Sequence, residues 1–94
     1  MENSEILAEL FKVFSDATRV RILLALSEGE KNVGALAEEI AMSPSAVSHQ
    51  LNTLRSSRLI RVRREGKSAY YALNDDHVRD ILDCGKEHIE ECVL

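Results

Sequence analysis

The spacing of apolar residues in this chain changes once from a helical to an alternating pattern and then becomes helical again. Before residue 55, apolar side chains recur every three or four positions, as they do along one face of an α-helix. Between Leu59 and Leu73 they alternate loosely with polar residues on both sides of Glu65-Gly66-Lys67, which predicts two short strands around a turn. From about Asp75 the helical spacing resumes. The chain is therefore expected to form four helices, a β-hairpin and a last amphipathic helix.

Capping residues predict where the second, third and fourth helices begin. The first helix is expected at roughly residues 4–14, on its apolar spacing alone. Asp16 and Asn32 precede the next two apolar segments, and both are residue types that cap helix N-termini. Ser43-Pro44 combines a capping serine with a proline at the first helical position, so it predicts the start of the fourth helix. The second helix is expected to end near Glu28-Gly29.

Length and composition limit the class of protein. The chain has 94 residues, no tryptophan and four aromatic residues, so the core must be mainly aliphatic. We expect one domain spanning residues 1–94, and a core this thin favours dimerisation. No apolar run is long enough to span a bilayer and no signal-peptide pattern begins the chain, so a cytoplasmic protein without a membrane partner is expected. Cys84 and Cys92 form no zinc-finger or disulfide framework, which fits a reducing compartment.

Positive charge is concentrated in one third of the chain. The formal net charge is −4, yet residues 44–74 carry six arginines and lysines against the single acid Glu65. A basic segment on an acidic body is typical of a localised phosphate-binding surface. Charge alone leaves an ordinary solvated basic face equally open.

The third and fourth predicted helices form a helix-turn-helix pattern, and the basic hairpin follows directly. The fourth helix offers short polar side chains on the faces that its apolar residues do not use: Ser45, Ser48, His49, Gln50 and Asn52. The hairpin carries four basic residues: Arg61, Arg63, Arg64 and Lys67. Hydroxyl and amide side chains can reach base edges in the major groove, and arginines bind phosphates. Capping or surface chemistry accounts for any one of the serines better, but the whole ensemble favours double-stranded DNA as the partner.

Several motifs together resemble the ArsR/SmtB family of metalloregulatory repressors. They are Ser15 to Leu23, Leu36-Ala37, Ser45 to Leu51, Leu59-Ile60 and Arg64 to Leu73. Ala17 departs from the family pattern, which usually has proline there, and alanine is a good helix former at that position. The resemblance implies a mainly α winged helix-turn-helix fold, a homodimer formed through the terminal helices, and a repressor that binds operator DNA.

The last predicted helix carries two of the three histidines, His77 and His88. Eleven residues are about three helical turns, so the two side chains share a face but lie about 16 Å apart along the axis. One ion cannot bridge them within one chain, but two such helices packed antiparallel would place His77 of one chain near His88 of the other. From spacing alone, solvated polar residues on an amphipathic helix remain the better interpretation.

The resemblance favours metal binding instead, because the family's zinc sensors carry the same pattern on this helix. The implied ligands are Asp75, His77, His88 and Glu91. Zinc is the implied ion, with cobalt as the alternative, and two sites are expected per dimer between the subunits. Asn32 and Gly34 stand where the family's thiolate sensors have a Cys-x-Cys pair, so that second site is absent. The resemblance further implies that metal releases the repressor from DNA, through a hydrogen bond from His88 to a main-chain carbonyl near Arg58.

Two other functions stay open on the sequence. One is a winged-helix repressor that responds to a thiol or redox signal through Cys84 and Cys92. The other is a dimer whose metal is only structural. An enzyme is not expected, because the chain shows no nucleophile with its base and no phosphate-binding glycine loop, and no small-molecule substrate is implied.

Overall fold

A computed structural model describes residues 2–94 and has the element order that the sequence predicts. The elements are α1 (Asn3–Val13), α2 (Ala17–Leu26), α3 (Val33–Ile40), α4 (Pro44–Ser56), β1 (Ile60–Glu65), β2 (Ser68–Leu73) and α5 (Asp76–Cys92). The predicted fold class, five helices with one antiparallel hairpin, is confirmed. Within residues 2–94, no helix is both long enough and apolar enough to cross a membrane.

Side-chain caps begin four of the five helices. Each capping oxygen accepts a hydrogen bond from the backbone N–H three residues later, which satisfies one of the donors that a helix start leaves unpaired. The pairs are Asp16 with Arg19 (2.9 Å), Asn32 with Ala35 (2.8 Å), Ser43 with Ala46 (3.1 Å) and Asp75 with Val78 (3.2 Å). The three caps predicted for α2, α3 and α4 are thereby confirmed.

Helix α2 ends at Leu26, two residues before the predicted end. Ser27 is the C-cap and keeps helical backbone angles, and its hydroxyl donates to the Leu24 carbonyl. Gly29 then adopts a φ of +146°, which turns the chain away from the helix axis.

The core lies where α2, α3 and α4 meet the inner face of the hairpin and the first turns of α5. Its fully buried side chains are Ile22, Leu23, Leu26, Leu36, Val47, Leu51 and Leu54. Every one of these is aliphatic, as the composition requires. Val78 and Leu82 attach α5 to this core, whereas α1 has no buried residue. Helix α1 and the second half of α5 are therefore the least covered elements of the chain.

The hairpin pairs Ile60 with Leu73 at its base and Glu65 with Ser68 at its tip. Gly66, at a φ of +59°, is the first residue of the two-residue turn, a position that favours glycine in hairpins. A further backbone bridge joins Lys31, in the α2–α3 segment, to Tyr71 in β2. The hairpin is therefore attached to the helical body along its second strand as well as at its base.

Three arginines each bind the C-terminal end of another helix. Arg19 donates to the Val13 carbonyl that ends α1 (2.8 Å), Arg21 to the Ile40 carbonyl that ends α3 (2.6 Å), and Arg79 to the Ser27 carbonyl that follows α2 (2.5 Å). The last carbonyls of a helix lack partners within it and carry partial negative charge, so a guanidinium both satisfies and stabilises them. The two arginines of the motif Thr18-Arg19-Val20-Arg21 thus join α2 to the ends of α1 and α3.

We expect Ala41→Gly to stabilise the fold. Ala41 ends α3 in the left-handed region at φ 56°, ψ 49°, which costs a side chain with a Cβ about 1–2 kcal/mol. Part of that gain is lost to the greater freedom of glycine in the unfolded chain, so a net gain of roughly 0.5–1 kcal/mol is predicted. Urea denaturation at fixed protein concentration measures this change in the free energy of unfolding. Ala35→Gly, at an exposed position inside the same helix, should instead destabilise by about 1 kcal/mol, and a destabilised Ala41→Gly would contradict the prediction.

Candidate nucleic-acid interface and metal-ligand pairs

Helix α4 presents a polar face to solvent. Val47, Leu51 and Leu54 point into the core, and the opposite side carries the residues predicted to contact DNA. Ser45, Ser48 and His49 are exposed, and Gln50 is half-buried. The helix is held from both ends, by the Ser43 cap at its start and by the strand that follows its last turn. The face is therefore rigidly placed and free to enter a groove.

Three of the four basic residues of the hairpin are available for an anion. Arg61, Arg64 and Lys67 are exposed, and among residues 2–94 none of them has a carboxylate within ion-pair distance. Arg61 makes only a long contact to the Asn74 carbonyl, at 3.5 Å. Arg64 and Lys67 lie at the tip, where a hairpin extends furthest from the body.

Arg63 differs from these three because two carboxylates already bind it. Its guanidinium pairs with Glu30 from the α2–α3 segment and with Glu65 from its own strand, each at 2.5 Å. It also lies over the ring of Tyr70, 4.8 Å from the centroid. The hydrogen bond from Arg63 lowers the pKa of the Glu30 carboxyl, so the pair persists at neutral pH and breaks only in acid. Arg63, predicted as a DNA contact, is the basic residue of the hairpin least free to make one.

The predicted metal ligands lie in two pairs at opposite ends of α5. At the start of the helix, Nδ1 of His77 lies 3.6 Å from Oδ1 of Asp75, and the His77 side chain is 90% exposed. His88 and Glu91 are exposed in the last turns. Within residues 2–94 of one chain, no three histidine, cysteine or carboxylate side chains lie close enough together to hold a metal ion. A single chain therefore places the four residues in two separate pairs, and each pair is half of the predicted site.

The chemistry of these donors fits zinc. Two imidazoles and two carboxylates are ligands that zinc accepts in a tetrahedral site. His77, His88 and Glu91 make no side-chain hydrogen bond in the described part of the chain, so their lone pairs are available. Asp75 uses Oδ1 to cap α5, which leaves Oδ2 with only a long contact from Asn74. The cap thereby fixes the orientation of the carboxylate that would bind.

Apolar side chains are exposed on α1 and in the second half of α5. Ile6, Leu7 and Phe11 of α1 are 53%, 52% and 52% exposed, and Ile89 of α5 is 44% exposed. Ile6 and Leu7 also line a groove of about 550 Å³ along α1, together with Asn3, Glu9, Leu10, Val13 and Ser57. The α5 part continues the stripe that begins with the buried Val78 and Leu82. Large apolar side chains grouped in this way mark an interaction surface.

The two cysteines are free and exposed on the outer part of α5. Their side chains are therefore not packed in the core of the single chain. Gly85 lies between them, and a Cβ built on it would meet nothing within 4 Å. This stretch of α5 is thus open to close approach by another helix.

Sequence reasoning missed Glu30, Tyr70 and the roles of the arginines. Arg63 and Glu30 are 33 residues apart, and no local pattern links them. The only sequence signal for Arg79 was a single positive charge near the start of an acidic helix.

Comparisons with known proteins agree with this architecture. Residues 16–62 match the family described as "Bacterial regulatory protein, arsR family". The transcriptional repressor SmtB homolog of Synechocystis sp. is 40% identical over 97% of this chain and 69% of its own length. The cadmium resistance transcriptional regulatory protein CadC homolog of Staphylococcus aureus is 38% identical over 96% of this chain and 75% of its own length.

A solved structure shows the same fold. The homodimeric winged helix-turn-helix DNA-binding domain of Mb0332 from Mycobacterium bovis superimposes with a TM-score of 0.89 at 28% identity, covering 96% of this chain and 83% of that one. Helices α3 and α4 are thus the helix-turn-helix and the hairpin is the wing. The family consists of transcriptional regulators and not enzymes. The chain belongs to the arsR family of bacterial regulatory proteins.

Proposed function

We propose that this chain is a zinc-responsive transcriptional repressor, which binds operator DNA as a metal-free homodimer and leaves it when zinc binds. The observation that carries the proposal is the position of the donor pairs on α5. Asp75 with His77, and His88 with Glu91, stand exposed on α5, whose apolar stripe is buried at Val78 and Leu82 and becomes exposed at Ile89. A second copy that covers the stripe would bring one pair against the other.

The second copy is supported by the exposed apolar side chains of α1 and α5. Phe11 and Leu7 are half-exposed on α1, and Ile89 is half-exposed on α5. A two-fold axis lets the same patch cover itself, and it produces two equivalent metal sites. The homodimeric state of the Mb0332 domain, which has the same fold, agrees with this arrangement.

DNA binding is supported by the exposed face of α4 and the unpaired basic residues of the wing. In a two-fold dimer, the two α4 helices would enter successive major grooves of a near-palindromic operator. Ser45, Ser48, His49 and Gln50 would meet base edges and phosphates, while Arg64 and Lys67 would meet the backbone beside them. DNA bound in this way blocks transcription.

Zinc, when bound, would link the two α5 helices. His77 and His88 must be neutral to bind it, so the metal affinity falls in acid. Linkage requires that zinc and DNA weaken each other by the same factor, typically about 5–150-fold. The name of the cadmium resistance relative indicates that this family includes regulators of other metals, and the lack of a Cys-x-Cys pair at Asn32 and Gly34 favours zinc here.

Cobalt titration of the metal-free protein tests the metal part of the proposal. Cobalt(II) takes a geometry similar to that of zinc and reports it through its visible absorption. The expected result is an end point at one ion per protomer, the strong visible bands of tetrahedral coordination, and their loss when zinc is added. Weak bands of octahedral cobalt, or cobalt that zinc does not displace, would contradict the proposal.

We expect Arg64→Ala to weaken DNA binding more than Arg63→Ala does. Arg64 is free to neutralise a phosphate, so its loss should reduce the slope of log affinity against log salt by about 1. Arg63 is already neutralised by Glu30 and Glu65, so the slope should change by clearly less. Fluorescence anisotropy of labelled operator DNA at several salt concentrations measures the slope for each variant. Equal changes in the two variants would show that DNA displaces the carboxylates from Arg63.

A further inference from the structure

We propose that Arg79 is a positioning residue that couples the metal-ligand end of α5 to the wing. The inference rests on the proposed function, since it concerns how metal binding changes DNA affinity. The connection between α5 and the wing runs through the segment 27–31, which joins α2 to α3. Arg79 holds one end of this segment and the wing holds the other.

The first contact joins α5 to the end of α2. Arg79 lies one turn into α5, between His77 and the buried Leu82, and its side chain is half-buried. Its Nη1 donates to the Ser27 carbonyl at 2.5 Å, across 52 residues of sequence. Ser27 ends α2, so this carbonyl is one of those that the helix itself cannot satisfy. A movement of the first turns of α5 therefore pulls on the end of α2 or breaks this bond.

The second set of contacts joins the same segment to both strands of the wing. Glu30 accepts two hydrogen bonds from the guanidinium of Arg63 in β1. Lys31 exchanges two backbone hydrogen bonds with Tyr71 in β2, at 3.0 and 2.8 Å. The wing is thus attached to the segment 27–31 at two points, in addition to its contacts with the helices, so a movement of the segment reaches both strands of the wing.

The carboxylates that bind Arg63 make sense in this arrangement. Only Glu30 of these two carboxylates lies outside the wing, so the Arg63–Glu30 pair is the one that joins the wing to the segment 27–31. Surface ion pairs contribute little to stability, so this pair adds to the backbone hydrogen bonds between Lys31 and Tyr71 and does not hold the wing alone. The wing also joins α5 directly, because only Asn74 and Asp75 separate β2 from α5 and the two elements pack against each other. The segment 27–31 is therefore a second connection between them, beside a cleft of about 550 Å³ that Arg61 and Arg79 line.

The test compares Arg79→Gln with Lys86→Gln in the full-length protein. Both variants remove one positive charge from α5, but Lys86 is exposed and has no described partner. For each, the DNA dissociation constant is measured with and without saturating zinc, and the zinc affinity and the urea midpoint are measured separately. The ratio of the DNA dissociation constants with and without zinc measures the coupling between zinc binding and DNA binding. A purely structural role for Arg79 would change the urea midpoint and leave this ratio unchanged.

The expected result is a coupling ratio reduced about tenfold in Arg79→Gln, with zinc affinity and metal-free DNA affinity within about threefold of the original. Lys86→Gln should keep the full ratio, and Arg79→Lys, which keeps a donor, should restore part of it. An unchanged ratio in Arg79→Gln overturns the inference. A smaller ratio that is fully explained by a weaker zinc affinity overturns it as well.

A second variant keeps the test decisive where Arg79→Gln does not fold. Glu30→Gln alters an exposed side chain at the wing end of the same connection, and it should also reduce the ratio. A full ratio in folded Glu30→Gln overturns the inference. If the unchanged protein itself shows no zinc effect, the proposed function fails and this inference fails with it, which separates that case from failure of the connection alone.

Discussion

His88→Gln should abolish the response to zinc and leave metal-free DNA binding intact. The substitution removes one of two imidazoles from the proposed site, and glutamine does not replace it as a zinc ligand. Residues that merely support a ligand cost about 10–100-fold in metal affinity when mutated, so loss of the ligand itself should cost roughly 100-fold or more. His88 is exposed on α5 and is not one of the residues predicted to contact DNA, so neither the fold nor the DNA-binding face should change. Zinc titration against a competing chelator and DNA anisotropy measure the two effects.

Two controls make the result specific. Glu87→Gln removes a carboxylate from the neighbouring position of α5, outside the proposed ligand set, and should retain the full zinc response. His49→Gln should have the opposite outcome, with normal zinc affinity and weaker DNA binding, because His49 lies on the exposed face of α4. A His88→Gln protein that still lost its DNA affinity on adding zinc would exclude α5 as the sensing site.

Phe11→Asp should separate the dimer and greatly reduce DNA affinity. Phe11 is 52% exposed in the chain and is one of the exposed apolar residues of α1. Covering the exposed half of this side chain is worth about 1 kcal/mol, a symmetric interface contains it twice, and a carboxylate in its place would also have to be desolvated. Loss of roughly 4 kcal/mol weakens dimerisation about 1,000-fold. A monomer reaches only one half of the operator, so the loss of DNA affinity should be about 100-fold or more.

Sedimentation measures the dimerisation constant, and DNA anisotropy measures its consequence. Lys12→Gln lowers the net charge by the same one unit at an exposed position about 100° further around α1, and it should leave both unchanged. The urea midpoint of the Phe11→Asp monomer should stay close to that of Lys12→Gln once the dimer contribution is subtracted, because Phe11 is not part of the core. A Phe11→Asp protein that remained dimeric would place the interface elsewhere.

The parts of the fold that depend on near neighbours could be predicted from the sequence. Asp16, Asn32 and Ser43 each act on a backbone group three residues away, so the cap is visible in the sequence itself. The hairpin was predicted for the same reason, since Gly66 is at the turn and the strands adjoin it. The end of α2 was placed two residues late because Gly29, which turns the chain, is visible in the sequence, whereas the last helical hydrogen bond before it is not.

The parts that depend on distant residues could not be predicted. The Arg63–Glu30 pair spans 33 residues and the Arg79–Ser27 contact spans 52, and neither leaves a periodic signal. Arg63 therefore appeared equivalent to Arg64 in the sequence, although two carboxylates hold it in the fold. The metal-ligand set came from a family resemblance, and what the fold adds is that its two pairs are exposed and oriented at opposite ends of α5. These pairs remain a prediction.

The most direct test is the affinity of the protein for the DNA upstream of its own gene, at fixed salt, with and without one zinc ion per protomer. We expect tight binding by the metal-free protein and a loss of DNA affinity of about 5–150-fold when zinc is added. Tight binding that zinc does not change would contradict it. That result would leave the winged helix as a DNA-binding fold and direct attention to the exposed thiols of Cys84 and Cys92.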